Sequence, residues 1–231
     1  MNVLYIKSTR ASDQHTPSVR ARKVSIIGIN LSRYVIGGVH VKQSLGARTL
    51  AFPTPTWIVG SYNPEGIPNI MTAAWGGICC SRPPCVYVSL RKATYTHGNI
   101  MHRRAYTVNI SSEQYVTEAD YCGMASGREV NKWEQCGFTP VKSTIVDAPY
   151  IAEVPLVLEC RVQNIVELGL HTQFVGEIMD VKADSSVLTE DGLPEIIKVK
   201  PIIFEPSNRR YYGIGTYLGP AFSLGKQLQS E

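Results

Sequence analysis

Strand-like runs dominate the chain from Thr56 onward, and they do not alternate with helices. Trp57–Tyr62 is rich in β-forming residues and ends at the turn sequence Asn63-Pro64-Glu65-Gly66, so a hairpin with the run 69–75 is predicted. Further strand-like runs are 85–90, 105–110, 156–168, 172–183, 202–204 and 211–214, of which 156–168 and 172–183 form a predicted long, bent hairpin. Many strands without a βαβ rhythm predict a mainly β fold, an antiparallel barrel or sandwich.

Three helices are expected around these strands. Thr94 is a suitable N-cap for a helix over 94–104, where the apolar residues have helical spacing. Ser112 caps a second predicted helix over 112–124. A short third helix, 130–136, is closed by Gly137.

The composition disfavours several classes of protein. A net charge of +4 with scattered basic residues gives little support to a nucleic-acid or membrane-surface partner. No apolar run approaches the ~20 residues that a membrane-spanning helix needs, and a cytoplasmic protein is expected. The six cysteines form no CxxC pair and match no histidine cluster, which predicts no metal site and reduced, mostly buried thiols, Cys79 and Cys80 included. GxGxxG, P-loop, GxSxG and HExxH patterns are absent.

Residues 1–40 differ from the rest because they are polar, basic and without clear periodicity. One interpretation is an upstream leader, since codons for Gly37-Gly38 can form a ribosome-binding sequence and the codon for Val41 can serve as a start. The alternative is a flexible arm that packs on a partner subunit. We therefore expect a poorly structured extension over 1–40 and a single domain over 41–231.

The stretch 69–84 has the composition of a ligand-binding strand edge. A strand leads into Gly76-Gly77 and further small residues, which leaves backbone groups open to a planar ring such as isoalloxazine. A tight turn in a barrel requires the same small residues and is the stronger interpretation on physical grounds alone.

The stretch 89–100 could hold a phosphate. Hydroxyl and cationic side chains gather at a predicted strand end and helix start, where free N–H groups favour an anion: Ser89, Arg91, Lys92 and Thr94. A solvated basic turn in which Thr94 merely caps the helix is an equal alternative.

Two later features are open to a structural and a functional interpretation. His171 follows Gly169 at a predicted strand start, and a lone histidine is more often a structural hydrogen-bonding group than a flavin or nicotinamide contact. Aromatic residues and glycines crowd 211–226, which suggests a loop that wraps a ligand or a partner subunit. An ordinary core edge with a frayed tail is the alternative.

Together these stretches resemble the flavin reductase-like family, and within it the flavoredoxin branch. The resemblance is carried in order by 45–53, 69–84, 89–95, 171–177 and the Tyr-Gly-Leu-Gly-Phe-Lys pattern near the C-terminus. It covers residues 41–226 and is collinear. No single motif is specific, whereas the ordered set is.

The resemblance implies an FMN-binding split barrel, a Greek-key β-barrel with a few peripheral helices, that forms a homodimer with FMN near the interface. By this likeness, the isoalloxazine wall would consist of Met71, Thr72, Ala73, Ala74 and Trp75. The phosphate would be held by Ser89, Arg91, Lys92 and Thr94. Asn109 would reach the ribityl chain, and His171 would contact the flavin and nicotinamide. Many relatives have Asp before that histidine, where this chain has Leu170.

The implied function is that of an NAD(P)H-dependent flavin reductase in which electrons pass through bound FMN. The alternative is a flavoredoxin-like electron carrier without direct NAD(P)H activity, which adds a redox partner protein to the flavin and nicotinamide ligands. A third and weaker alternative is a split-barrel protein that binds flavin or haem for sensing or storage.

Overall fold

The structure is a computed structural model that describes residues 35–36, 39–40 and 42–229. The chain divides into two compact units between Arg48 and Thr49. In the first unit, strand β1 (Val35–Ile36) pairs with strand β2 (Val39–His40) as an antiparallel hairpin. The interpretation of residues 1–40 falls largely outside the described residues, as does the proposed start at Val41, and both stay predictions.

The second unit is built on antiparallel strands. They are β3 (Thr54–Pro55), β4 (Trp57–Tyr62), β5 (Pro68–Ala73), β6 (Gly76–Ser81), β7 (Pro84–Arg91), β8 (Ala105–Ile110), β9 (Pro140–Lys142), β10 (Pro149–Ile151), β11 (Leu156–Leu168), β12 (His171–Ala183), β13 (Ile203–Glu205) and β14 (Arg210–Tyr212). Seven of them form one sheet in the order β5-β4-β8-β11-β12-β7-β6. Smaller sheets join β14, β13 and β3, and β10 with β9.

The seven-stranded sheet must curl until the strands at its two ends come together at one corner. Strands β5 and β6 lie at opposite ends of the sheet order, yet only Ala74 and Trp75 separate them in sequence. A flat sheet would hold these strands roughly 29 Å apart at about 4.8 Å per strand spacing. Three peptide steps reach only about 11 Å. The sheet is therefore a barrel, and the Ser89 N–H, which donates to the Trp75 carbonyl at 2.7 Å, fastens the link to β7.

In the described part of the second unit, four short helices lie around the barrel. They are α1 (Tyr95–Arg103), α2 (Val116–Met124), α3 (Lys132–Cys136) and α4 (Ile196–Val199), with 3-10 turns over Glu113–Tyr115, Ser185–Val187 and Leu224–Leu228. Helix α3 begins where the Asn131 side chain accepts a bond from the Trp133 N–H, and it ends at Gly137, whose φ of 64° is left-handed. Within the described part of the chain, no helix is long and apolar enough to cross a membrane.

Strand alternation divides the buried side chains into two clusters. On β4, Val59 belongs to the cluster with Tyr106 and Phe174, while its neighbour Ile58 belongs to the cluster beneath α2 and α3. Tyr106 is fully buried, and its hydroxyl donates to the Val86 carbonyl at 3.0 Å. The barrel therefore has a filled interior and a second core between its wall and the helices.

The predicted mainly β split barrel with peripheral helices is confirmed. The long hairpin of β11 and β12 is also present, and register shifts at Glu159/Cys160 and Val162/Asn164 give it the irregularities of a bent ribbon. The segment 76–81 is not the tight turn that was the stronger interpretation. It is strand β6 and pairs with β7.

The cysteines also differ in part from the expectation. Cys85, Cys122 and Cys160 are buried, but Cys79 and Cys80 are exposed. The prediction of buried thiols is wrong for this adjacent pair because β6 is the last strand of the sheet order and carries both on an open edge.

Candidate functional site

A cavity of about 540 Å³ lies against the outer face of the barrel where the sheet closes. It is lined by Thr49, Ala51, Phe52, Pro53, Thr54, Pro55, Ala74, Trp75, Gly76, Tyr87, Ser89 and Gln173. Its volume is within the usual range for small-molecule sites, and its lining combines aromatic rings with a few hydroxyl and amide groups. Such a lining suits a flat, largely apolar ligand with a polar edge.

The pleat of β7 supplies the polar wall of this cavity. Val86, Val88 and Leu90 point into the core, so the alternate residues Tyr87 and Ser89 face outward. Gln173 of β12 lies directly opposite Ser89 in the strand pairing. A hydroxyl and a carboxamide thus lie side by side, ready to bind a polar ring edge.

The glycine at the corner of the cavity is required by packing. A Cβ at Gly76 would lie 2.5 Å from the Trp57 ring and 3.0 Å from the Tyr87 carbonyl oxygen. Any side chain here would force Trp57 or strand β7 to move. The sequence Gly76-Gly77 therefore reflects close contact between chain segments as well as an open backbone.

Trp75 lies between this cavity and a second one of about 420 Å³. The second cavity is bounded by β5, α2 and the end of the β13–β14 hairpin, and it includes Thr72, Asp120, Met124, Phe204 and Tyr211. The Tyr211 hydroxyl donates to the Asp120 carboxylate at 2.9 Å. Burial raises the pKa of Tyr211, and the bond to Asp120 raises it further. The hydroxyl therefore stays protonated and acts as a donor.

The predicted isoalloxazine wall divides between cavity and core. Ala74 and Trp75 line both cavities, and Thr72 lines the second. The Thr72 hydroxyl donates to the Ala119 carbonyl of α2, which fixes its side chain. Ala73 is buried in the barrel core, and Met71 packs against the same core, so neither borders a cavity.

The predicted phosphate residues are only partly brought together. Ser89 lines the first cavity, whereas Arg91 and Lys92 are exposed at the end of β7. Lys92 pairs with Glu167 at 2.8 Å, a contact that lowers the pKa of the Glu167 carboxyl. Thr94 is the N-cap residue of α1 as predicted, but its hydroxyl donates back to the Arg91 carbonyl at 2.9 Å.

A third cavity, of about 270 Å³, lies beside the start of α1. One of its lining residues is a buried lysine that sequence analysis did not identify. Its lining includes Asn69, Tyr95, Arg128 and Lys132. Lys132 is only 4% exposed, and its ammonium donates to the Cys122 carbonyl at 2.9 Å. Burial lowers the pKa of Lys132. Over residues 42–229, no carboxylate forms a salt bridge with it.

A buried ammonium without an acidic partner is costly and is a natural place for an anionic ligand. Arg128 adds a second charge because its guanidinium lies 5.2 Å from the Tyr95 ring centroid and bonds to the Ala93 carbonyl at 3.0 Å. Sequence patterns could not identify this pair, since a lysine in a five-residue helix resembles any exposed lysine.

Asn109 lies in the core and outside the candidate site. Its side chain is fully buried, and its amide nitrogen donates to the Ile58 carbonyl at 2.8 Å and to the Thr107 hydroxyl at 3.1 Å. Its oxygen accepts a bond from the Ile151 N–H at 2.8 Å. The amide thus ties β8 to its neighbours, and none of its groups is directed at a ligand.

His171 begins β12 and is half-buried. It lies opposite Arg91 in the β12–β7 pairing, and it does not border the cavities described above. The neighbouring histidine of α1, His97, is better fixed, with its Nε2 atom 2.9 Å from the Thr172 hydroxyl and its ring against Phe174. The predicted flavin or nicotinamide contact of His171 stays a prediction.

Comparison with known proteins gives a consistent result. The model of the flavin reductase like domain matches residues 48–213. The flavoredoxin of Desulfovibrio vulgaris (Miyazaki F) is 54% identical, with a TM-score of 0.77 over 80% of this chain and 100% of that chain. The flavoredoxin from Methanosarcina acetivorans is 30% identical, with a TM-score of 0.75 over 81% and 100% of the two chains. An uncharacterized protein of Archaeoglobus fulgidus is 34% identical over 63% of this chain and 80% of its own length.

Proposed function

Because the chain belongs to the flavin reductase-like family, we propose that it is an FMN-binding oxidoreductase whose electrons pass through the bound flavin. The observation that carries this proposal is the aromatic cavity at the closure of the barrel, where Trp75 and Tyr87 stand beside Ser89 and Gln173. These groups fit an isoalloxazine ring, since the aromatic side chains can pack on its faces while hydroxyl and amide groups bind its polar edge.

The bound flavin would supply the redox chemistry, by accepting a hydride or single electrons and passing them on. The protein would bind and orient it. Trp75 separates the two cavities and is held through its carbonyl by the Ser89 N–H, so the link 74–75 is a firm wall for a ring. Thr72 and Ala74 complete this part of the site.

We place the phosphate near the start of α1, where free N–H groups favour an anion. Cations flank this point on both sides. Arg91 and Lys92 lie on one side, with Ser89 and Thr94 as hydroxyl donors, and Arg128 and Lys132 lie on the other. Burial and the lack of an acidic partner in the described region favour Lys132 as the closest charge, because Lys92 already has Glu167.

We further propose that the active form is a cytoplasmic homodimer. The C-terminal segment 212–228 exposes apolar side chains that water does not favour, among them Leu218 at 86%, Phe222 at 99% and Leu228 at 89%. A second copy of the chain would cover them and would bring the tail of one protomer near its partner.

Two electron sources are compatible with this site. In the leading proposal, NADH or NADPH reduces the flavin directly, and His171 assists at the flavin. In the alternative, the protein is an electron carrier that a redox partner protein reduces. The alternative is favoured by the strong likeness to flavoredoxins and by Leu170, an apolar residue that is 61% exposed just before His171.

Anaerobic absorbance of the purified protein tests these proposals. Bleaching of a flavin spectrum within seconds by NADH or NADPH would establish a nicotinamide-dependent reductase. Bleaching by dithionite but by neither nucleotide would establish the carrier. Purified protein that stays colourless and takes up no added FMN would overturn flavin binding altogether.

A further inference from the structure

Two thiols meet between α2 and α3, away from the barrel closure. The Sγ atoms of Cys122 and Cys136 are 3.6 Å apart, which places them in direct contact. Both are free thiols, Cys122 fully buried and Cys136 half-buried. A disulfide bond is about 2.05 Å long, so the sulfur atoms need to approach by only roughly 1.5 Å.

Among the described residues, the charged side chains that act on the pair are those of Lys132 and Glu118. Lys132 is near both thiols and favours their thiolate forms, whereas Glu118 disfavours them. Burial is the largest influence and raises the pKa of both thiols. The Lys132 ammonium also donates to the backbone carbonyl of Cys122. This bond from α3 to α2 holds a positive charge beside the two thiols.

We propose that Cys122 and Cys136 are a redox-sensitive dithiol that closes to an intramolecular disulfide when it meets a small aliphatic disulfide. The Cys136 thiolate attacks one sulfur of the reagent RS–SR, which forms a mixed disulfide and releases RS⁻. The Cys122 thiolate then attacks the Cys136 sulfur and releases the second RS⁻. Two electrons leave the protein thiols, and the reagent is reduced to two RSH molecules, with both protons passing through solvent.

The exposure of the two thiols sets this order. Cys136 is the half-buried thiol and is the one a reagent can reach, while Cys122 is within contact distance to resolve the intermediate. Because burial suppresses the thiolate forms, closure is slow at neutral pH and accelerates as the pH rises. The bond would lock α2, which lines the second cavity through Asp120 and Met124, onto α3.

The test treats the full-length, folded protein with bis(2-hydroxyethyl) disulfide, blocks remaining thiols with N-ethylmaleimide in denaturant, and digests with trypsin without reduction. Trypsin separates the two thiols into peptides 105–128 and 133–142, while Cys79, Cys80 and Cys85 share peptide 49–91. We expect most molecules to yield 105–128 linked to 133–142. In Cys136→Ser, the peptide 105–128 should instead carry N-ethylmaleimide on Cys122.

The exposed Cys79 and Cys80 are the internal control, because the reagent should oxidise them, to mixed disulfides or to a disulfide within peptide 49–91, at any pH where it reacts. Maleimide on both Cys122 and Cys136 after treatment at alkaline pH, where closure should be fast, while Cys79 and Cys80 are oxidised, would overturn the proposal. A lasting reagent adduct on Cys136 without the link would overturn it as well. A thermal melt of Cys136→Ser that matches the parent protein would show that the control variant is folded.

Discussion

Single lysines around the start of α1 decide where an anion can bind. Lys132 is buried without an acidic partner in the described region, whereas Lys92 is exposed and paired with Glu167. We expect Lys132→Met to weaken FMN binding by about tenfold or more, because a charge-assisted bond to phosphate is worth roughly 1.5–3 kcal/mol. Fluorescence titration of the apoprotein measures this, with the exposed Lys142→Met as the matched control.

The same titration distinguishes the two groups of cations. Replacing a buried, unpaired ammonium with an apolar chain of similar length should leave the fold stable. A greater loss of FMN affinity in Arg91→Ala/Lys92→Ala or in Thr94→Ala than in Lys132→Met would move the phosphate to the end of β7. Unchanged affinity in all of them would remove the phosphate from this end of α1.

His97 should make the fold sensitive to mild acid. Burial lowers the pKa of His97, and the nearby Lys92 lowers it further, with Glu167 acting in the opposite sense. The unfolded chain, with a histidine pKa near about 6.5, then binds a proton more readily than the native state. The free energy of unfolding is therefore at its full value at neutral pH and decreases as the pH falls below about 6.5.

Urea unfolding midpoints at about pH 7.5 and 5.5 measure this effect. We expect the loss on acidification to be smaller in His97→Gln than in the parent protein. The exposed His102→Gln should retain the parental loss. Equal losses in all three proteins would show that His97 does not contribute.

At the scale of elements, alanine substitutions of Gly60 in β4 and Gly98 in α1 should change the free energy of unfolding in opposite directions. A Cβ at Gly60 would meet the Pro149 carbonyl oxygen and lie 2.5 Å from the Thr107 hydroxyl, so Gly60→Ala must push β4 away from β10. We expect a loss of about 1–3 kcal/mol in the free energy of unfolding. Gly98 is exposed in α1 with nothing within 4 Å of its would-be Cβ. Gly98→Ala should therefore gain up to about 1 kcal/mol, and equal stabilities of the two variants would contradict the packing.

Strands with strong local preferences could be predicted from the sequence, and strands made by tertiary pairing could not. Trp57–Tyr62 and Ala105–Ile110 occur as predicted because β-forming residues fill each run. Gly76–Ser81 has only Ile78 as a β-branched residue and begins with two glycines, and its pairing with β7 makes it a strand. Helix ends with clear caps, such as Thr94 and Gly137, were also predictable.

The candidate site was also predictable only in part. Trp75, Ala74 and Ser89 lie in stretches that carry the family resemblance, and all three line cavities. Asn109 was misplaced because the sequence does not show that three protein groups occupy its amide. Lys132 was missed because its burial arises from the packing of α3 and cannot be inferred from its neighbours along the chain.

At the scale of the whole molecule, the exposed tail predicts the oligomeric state. We expect the protein to be a dimer by light scattering after size exclusion. Leu218→Ser/Phe222→Ser/Leu228→Ser should shift it toward monomer because the apolar surface that the partner covers is removed. Leu193→Ser, also exposed but outside the tail, is the control and should remain dimeric. A monomeric parent protein would contradict the dimer, and a dimeric triple variant would exclude the tail from its interface.

The two-residue link between β5 and β6 closes the barrel, and the same two residues form walls of both cavities. A ligand held there would stabilise the closed barrel by mass action, since an opened barrel cannot bind it. Empty molecules would open more often and expose cleavable backbone to proteases, while loaded molecules would be spared. Proteolytic turnover in the cell would then enrich the loaded form, and the lifetime of each molecule would report whether its cavity is filled.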